Sequence, residues 1–364
     1  MCKAAYIHVP FCNSICAYCD FFRCGYQQDI AQRWLTCICK EIKERLQDGL
    51  ETVYIGGGTP SALTASQLDQ LLATIRPYTH AVKEFTLEAN IESLTDEKLS
   101  IMVKHGVNRI SLGVQTLQPQ LLKIIRRNHQ AEDVHKAITR IHQHGISNIS
   151  IDLIYGLPEQ TLAMWQQDLA YIVDHFDIQH ISLYALTIEP NSEFGRKGIQ
   201  NIDDEVEADM YEYAISYLEE HGFHQYEISN FAKDGYPSKH NQYYWRYDDF
   251  YGIGCGASGK QDHQRYDNTR NLSTYLKEGP SPTYIPLKKE DEMFEMIMMS
   301  LRMKQGLDLA HFYQTFGCDL LTVYKESVRD HIDHGLLEIN DHHLCATEHG
   351  FPILHEILLS FLPD

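Results

Sequence analysis

Between Ala4 and Leu186, short runs of β-branched and aromatic residues alternate with stretches whose apolar residues recur every three or four positions. The runs predict strands at Ala4–Val9, Thr52–Ile55, Glu84–Ala89, Arg109–Val114, Ile149–Ile154 and His180–Leu186. The periodic stretches predict helices between them. Ile30–Leu46 carries Ile30, Trp34, Leu35, Ile38 and Ile42 on one face, and Ala65–Ile75, Asp96–Lys104, Ala131–His144 and Leu162–His175 follow. Strand and helix alternating at roughly 30-residue spacing imply parallel strands with helices outside. Such units make either an open, partial (β/α) barrel or a doubly wound sheet, and periodicity does not separate the two.

After Leu186 the alternation weakens. Thr187–Ile202 reads as a polar loop, Asp203–His221 as a helix with an acidic start suited to its dipole, and Tyr226–Ala232 as a further strand. An unusually aromatic stretch follows, from His240 through Tyr243, Tyr244, Trp245, Tyr247, Phe250 and Tyr251 to Ala257. The prolines between Pro280 and Pro286 signal a boundary. Beyond them, Glu290–Met303 is a methionine-rich amphipathic helix whose Met293, Met296, Met298, Met299 and Met303 are expected to pack a core. Helices at Leu309–Phe316 and Leu320–His331, a hairpin over Leu336–Ala346 and a last helix suggest a winged-helix-like module.

Polar residues mark where the chemistry lies. Gly56, Gly57, Gly58 and Thr59 follow the second strand, Glu88 ends the third, Gln115 ends the fourth and Asp152 interrupts the fifth. In parallel α/β folds the carboxyl ends of the strands carry the site, so these groups aim at one mouth.

The chain has 364 residues and a formal net charge of -19, which argues against nucleic acid, whose phosphates need an excess of lysine and arginine. No apolar run is long enough to span a bilayer and no charged-then-apolar signal segment stands at Met1, so a cytoplasmic protein is expected. Peripheral contact with a membrane and a homodimer stay open. Ten cysteines fit a reducing compartment with a metal site better than a disulfide frame.

Three of those cysteines, Cys12, Cys16 and Cys19, stand four and three residues apart just after the first strand. A loop with that spacing can bend three thiolates around one small cluster and leave one metal position open. Tetrahedral zinc wants two separated pairs, and no second pair follows. Cys24 reads as a bystander thiol, and the remaining cysteines show no ligand spacing.

The motifs Y-I-H-V-P-F-C-x3-C-x2-C, V-Y-I-G-G-G-T-P-S, F-T-L-E-A-N, R-I-S-L-G-V-Q-T, I-D-L-I-Y-G-L-P-E-Q-T and Y-G-I-G-C-G-A resemble the HemN/HemW branch of the radical S-adenosylmethionine (SAM) proteins, from Tyr6 through the C-terminal module. The resemblance implies an α/β fold, a partial (β/α)6 TIM-like barrel with a smaller winged-helix-like α+β module. It divides the chain into a barrel over 1–235, a connecting segment over 236–282 and a C-terminal domain over 283–364. It also implies that Cys12, Cys16 and Cys19 hold three irons of a [4Fe–4S] cluster whose fourth iron chelates SAM. The electron then enters the sulfonium, releasing a 5′-deoxyadenosyl radical. Tyr6, Tyr18, Gly57, Gly58, Thr59, Glu88, Gln115, Arg127 and Asp152 match positions around SAM, with the glycines letting the backbone approach its methionine end.

Two functions live in that branch. One is the oxygen-independent coproporphyrinogen III oxidase, and the other is a haem chaperone that binds haem and passes it to acceptor haem proteins. Three features favour the chaperone. The oxidase has a fourth cysteine two residues after the third, where this chain has Phe21, and a long N-terminal arm, where only five residues precede Tyr6. His240, Asn241 and Tyr244 also fit an H-N-x-x-Y motif resembling the haem-binding signature of the chaperones, with His240 as the expected axial ligand. A plain electron-transfer or structural cluster protein is a third option, disfavoured because it needs no SAM pocket.

Overall fold

A computed structural model describes residues 2–363. Six parallel strands form its centre: β1 (Ala4–Val9), β2 (Thr52–Gly57), β3 (Glu84–Ala89), β4 (Arg109–Gln115), β5 (Asn148–Tyr155) and β6 (His180–Ala185). They lie side by side in chain order, each joined to the next by a helical crossover. Unbroken neighbour order is that of a barrel; a doubly wound sheet would reverse at a switch point.

Along each strand one face is apolar and the other polar, because successive side chains point to opposite sides. Ile7, Val53, Ile55, Phe85, Leu87, Ile110, Leu112, Ile151 and Leu183 share one core with Trp34, Leu35 and Ile38 of the helix Gln28–Arg45 and Leu68, Leu71 and Leu72 of Ala65–Ile75. The second of these helices begins at Thr64 in a capping box with Gln67, which satisfies two of its free amide donors. The other strand face turns Thr52, Glu84, Thr86, Arg109, Ser111, Ser150, His180 and Ser182 inward, all buried. Register places them side by side, Thr52 against Glu84, Thr86 against Arg109 and Ser150 against His180.

The sheet extends on both edges to twelve strands among the described residues. Beyond β6, Asn230–Ala232 pairs antiparallel and His224–Gln225 follows it. Beyond β1, Phe250–Ile253 adds in parallel, and Ser258–Gln261, Gln264–Asp267 and Thr283–Pro286 continue antiparallel.

The aromatic stretch contains a short helix, Lys239–Trp245, capped by Ser238. Its first turn is seized by Glu84, whose carboxylate accepts from Ser238 Oγ (3.3 Å), Lys239 N (2.8 Å) and His240 N (3.0 Å). A buried carboxylate at free helix amides suits both the amides and the helix dipole, and the helix thereby floors the barrel. Behind it lies a second core built on Met293, Met296, Ile297, Phe312, Leu344 and Phe361, with helices Lys289–Ser300, Leu309–Phe316 and Lys325–Asp333 and a three-stranded sheet. Ser300 Oγ donates to Trp245 O (3.0 Å) and Tyr247 Oη to Glu295 (2.6 Å), which ties this module to the floor helix. No helix among the described residues is long and apolar enough to cross a membrane.

Candidate functional site

A cavity of about 1150 Å³ opens at the carboxyl ends of the six strands. Tyr6, Cys12, Cys16, Tyr18, Cys19, Gly57, Gly58, Thr59, Glu88, Gln115, Arg127, Asp152 and Tyr244 all line it. The three thiols lie within electrostatic reach of one another at one end, where burial pushes the Cys12 thiol up to about 11. Cys24 is outside the cavity wall; its amide donates to Pro10 O (2.7 Å).

The cysteine loop is fastened to the barrel by side chains before and after the thiols. His8 Nε2–H donates to Phe22 O (2.8 Å), which leaves Nδ1 to accept from Tyr6 Oη (2.9 Å), and burial holds this imidazole down to about 4. Thr59 Oγ1 donates to Cys12 Sγ (3.6 Å) and accepts from Asn90 Nδ2 (3.2 Å), linking the thiols to the end of β3. Arg23 reaches back to the Cys19 carbonyl. His8 and Asn90 stand inside the quoted motifs and Arg23 just past the cysteines, yet none could be given a role from sequence, because their partners come from other strands and loops.

Glu88 accepts from Tyr54 Oη (2.8 Å) and Gly57 N (3.0 Å). Burial, reinforced by the neighbouring Asp152 carboxylate, raises its pKa to about 7. Burial also raises Asp152, against the pull of the Ser182 and Ser111 hydroxyls. Arg127 Nη2 donates to Asn90 Oδ1 and to Gly113 O, both at 2.9 Å, while its buried Nε has no partner. Gln115 sits in the left-handed region (φ 71°), at a register shift where β4 leaves the sheet. Such a conformation in a side-chain-bearing residue at a strand end is the strain that functional sites hold. Carboxylates, a guanidinium and an amide around one space form a donor and acceptor set suited to the amino, carboxylate and ribose groups of SAM.

The glycine run is required by the protein's own packing as well, with Gly57 and Gly58 on the cavity wall. A Cβ on Gly56 would lie 2.7 Å from the Glu88 carboxylate, one on Gly57 would strike the His8 ring, and one on Gly58 would lie 2.8 Å from Phe11 O. Gly57 also needs its positive φ of 109°. These glycines make room for protein groups that shape the site.

The radical SAM superfamily model matches residues 6–172, and the HemN C-terminal domain model matches residues 287–353. The heme chaperone HemW of Lactococcus lactis is 37% identical, over 100% of this chain and 98% of its own. Its Bacillus subtilis counterpart is 35% identical over the whole of both chains, and that of Escherichia coli 32% identical over 99% and 98%. The chain belongs to the HemW family. Membership of the radical SAM superfamily implies a [4Fe–4S] cluster and SAM as its cofactors. Among solved structures, coproporphyrinogen III oxidase (HemN) of Escherichia coli superposes with a TM-score of 0.85, covering 99% of this chain and 90% of its own. At 20% identity that likeness establishes the shared fold.

In this HemW-family chain, two of the motif residues from the aromatic stretch are off the cavity wall. His240 is 0% exposed, with Nδ1 hydrogen-bonded to Thr52 Oγ1 (2.9 Å), Nε2 to Tyr244 Oη (2.7 Å) and the ring stacked on Tyr54. Burial, with Arg109 nearby, holds it down to about 3. Asn241 lies in the same helix, its amide on Ser238 Oγ (3.4 Å). Met293, Met296 and Met303 are buried as expected, and Met298 and Met299 pack against the second core while also lining the cavity. Beside them the wall carries Trp245, Lys260, Arg265 and Arg270, with Lys260 paired to Asp249 (3.0 Å) and Arg265 to Glu295 (3.2 Å), so the far end is apolar and aromatic with mixed charges at its edge.

Proposed function

We propose that this protein binds haem and hands it to acceptor haem proteins in the cytoplasm, beside a SAM-ligated [4Fe–4S] cluster held by Cys12, Cys16 and Cys19. One observation carries the reading: a single cavity has two chemically distinct ends. One end carries Cys12, Cys16 and Cys19 with Tyr6, Tyr18, Gly57, Gly58, Thr59, Glu88, Gln115, Arg127 and Asp152. The other offers apolar and aromatic surface with Arg270 and the ion-paired Lys260 and Arg265 at its edge, which supports a flat ring system bearing carboxylates. The volume exceeds that of an ordinary single-ligand pocket of ~300–1000 Å³, which supports two occupants. The curated relatives' name, heme chaperone, supports the same reading.

When bound, the cluster supplies the electron for SAM chemistry, and the protein supplies position and exclusion of water. Glu88 and Asp152 accept hydrogen bonds from hydroxyl or amino groups, Arg127 and Gln115 donate to a carboxylate, and Tyr6 and Tyr18 close the sides. His240, Asn241 and Tyr244 share one short helix, from which Tyr244 lines the cavity.

The test uses one anaerobically reconstituted preparation. Haem should be taken up with a Soret band and passed to an apo haem protein, while coproporphyrinogen III with SAM and reductant should give no protoporphyrinogen. Product formation, or no uptake of haem, overturns the reading.

A further inference from the structure

We infer that Arg270 is the carboxylate anchor of the cavity. Its guanidinium takes a propionate at the edge of the haem ring and so selects porphyrins whose carboxylates are free. This rests on the haem reading above.

Five lysines and arginines line the cavity, and four are already engaged by the protein. Arg23 is held by the carbonyls of Cys19 and Phe21, and Arg127 by Asn90 Oδ1 and Gly113 O. Lys260 pairs with Asp249 at 3.0 Å and Arg265 with Glu295 at 3.2 Å. Arg270 is exposed and has neither an ion pair nor a hydrogen bond among the described residues, in a chain whose net charge is -19. Three acids of the same wall are taken as well: Asp267 by Ser258 Oγ, Asp248 by His311 (3.9 Å) and Glu295 by Arg265 and Tyr247. Arg270 is therefore the wall cation left for an anionic ligand.

The backbone beneath it is fixed. Thr269 O accepts from Gly256 N (2.9 Å) and Cys255 Sγ (3.0 Å), and Asn268 Nδ2 donates to Gly252 O and Gly254 O, both at 3.0 Å. On the other side Asn271 caps the helix Leu272–Glu278. This turn lies beside the end of the cysteine loop, since a Cβ on Gly256 would stand 2.6 Å from the Phe22 ring. The His8 imidazole, held down chiefly by burial, also feels the Arg270 charge. His8, Phe22 and Gly256 line the cavity together with Arg270.

A guanidinium offers a carboxylate two parallel N–H donors in one plane. Trp245, Phe250, Met298 and Met299 make much of the remaining wall apolar, which suits a ring body whose charge is confined to carboxylates at its edge.

Ferric haem and its dimethyl ester, in which both carboxylates are masked, are titrated in the same mild detergent into the reconstituted full chain. Absorbance reads binding, while iron content and thermal unfolding control for the cluster and the fold. Wild type should bind haem at least about tenfold more tightly than the ester. Arg270→Gln should weaken haem binding roughly tenfold to a hundredfold and leave the ester within about twofold of wild type. Arg270→Lys keeps the charge without the fork and should recover part of the preference. Arg126→Gln removes an exposed arginine outside the cavity and should change neither affinity. The inference is overturned if wild type binds haem and ester equally, or if Arg270→Gln weakens both alike. It is also overturned if Lys260→Gln or Arg265→Gln weakens haem binding more than Arg270→Gln does. A fall in SAM affinity in Arg270→Gln with haem binding intact would assign this arginine to the SAM carboxylate and overturn it too. Should Arg270→Gln fail to fold, the wild-type preference and Arg270→Lys decide. No haem uptake by wild type overturns the haem reading itself and this inference with it.

Discussion

Gly113→Ala separates the proposed SAM site from the fold. A Cβ at Gly113 would stand 2.7 Å from Arg127 Nη2, 2.9 Å from Gln115 Nε2 and 3.2 Å from Asn90 Oδ1. Comfortable contact is about 3.5 Å, so the two nitrogens must retreat by roughly 0.6–0.8 Å. That stretches Arg127's two 2.9 Å bonds, to Gly113 O and Asn90 Oδ1, past hydrogen-bonding range. All three groups are ends of flexible side chains, so the fold should lose only about 1–2 kcal/mol. A misplaced hydrogen bond to a charged ligand costs about 1.5–3 kcal/mol, so SAM affinity should fall roughly tenfold to a hundredfold. Gly58→Ala is the contrast. Its Cβ would meet the backbone of Phe11 (O at 2.8 Å, N at 2.9 Å) and Val9 (O at 2.9 Å), which cannot swing away. The loss there should appear in stability, about 1–3 kcal/mol. Calorimetric SAM titration of reconstituted protein, with urea unfolding of the same samples, reads both quantities. Unchanged SAM affinity in Gly113→Ala at wild-type iron content would show that Arg127, Gln115 and Asn90 do not touch SAM.

Three further outcomes are expected. Serine at Cys12, Cys16 and Cys19 together should abolish iron retention, whereas Cys24→Ser should keep it, as iron assay and visible absorbance will show. Glu84→Ala removes the acceptor for three donors at the floor helix and should destabilise the protein by roughly 3–5 kcal/mol in urea; a loss under about 1 kcal/mol would mean the helix is held otherwise. Glu88 has a folded pKa of about 7 against an ordinary 4.5. Its protonated form therefore favours the folded state fully below pH 4.5, and that contribution is lost as pH rises through 7. Glu88→Gln should accordingly unfold later than wild type at pH 8, by on the order of 2 kcal/mol, with the gap closing towards pH 4; a gap independent of pH would refute the assignment.

The barrel was legible because its signals are local. The helix Ala65–Ile75 and the strand Glu84–Ala89 begin and end at their predicted residues, since periods of 3.6 and 2 are written within a few turns of chain. Parallel strands end on one side, so Glu88, Gln115 and Asp152 were bound to converge once their strands were found. The strands' neighbour order was not legible from periodicity, because it depends on crossovers that the pattern leaves silent. Nor was the continuation of the same sheet through Phe250–Ile253 to Thr283–Pro286.

By itself, then, the sequence determined the strand and helix alternation, the three-thiol loop and the polar rim, each set by neighbours close in the chain. Only the tertiary structure decided that His240 is walled in. Its partners Thr52 and Glu84 lie on strands more than 150 residues away, and a seven-residue aromatic helix carries no periodicity that names them. Which methionines face the cavity was decided the same way: the hydrophobic effect rewards burial without specifying against what, and only packing puts Met296 inside the second core and Met298 at its cavity-facing edge.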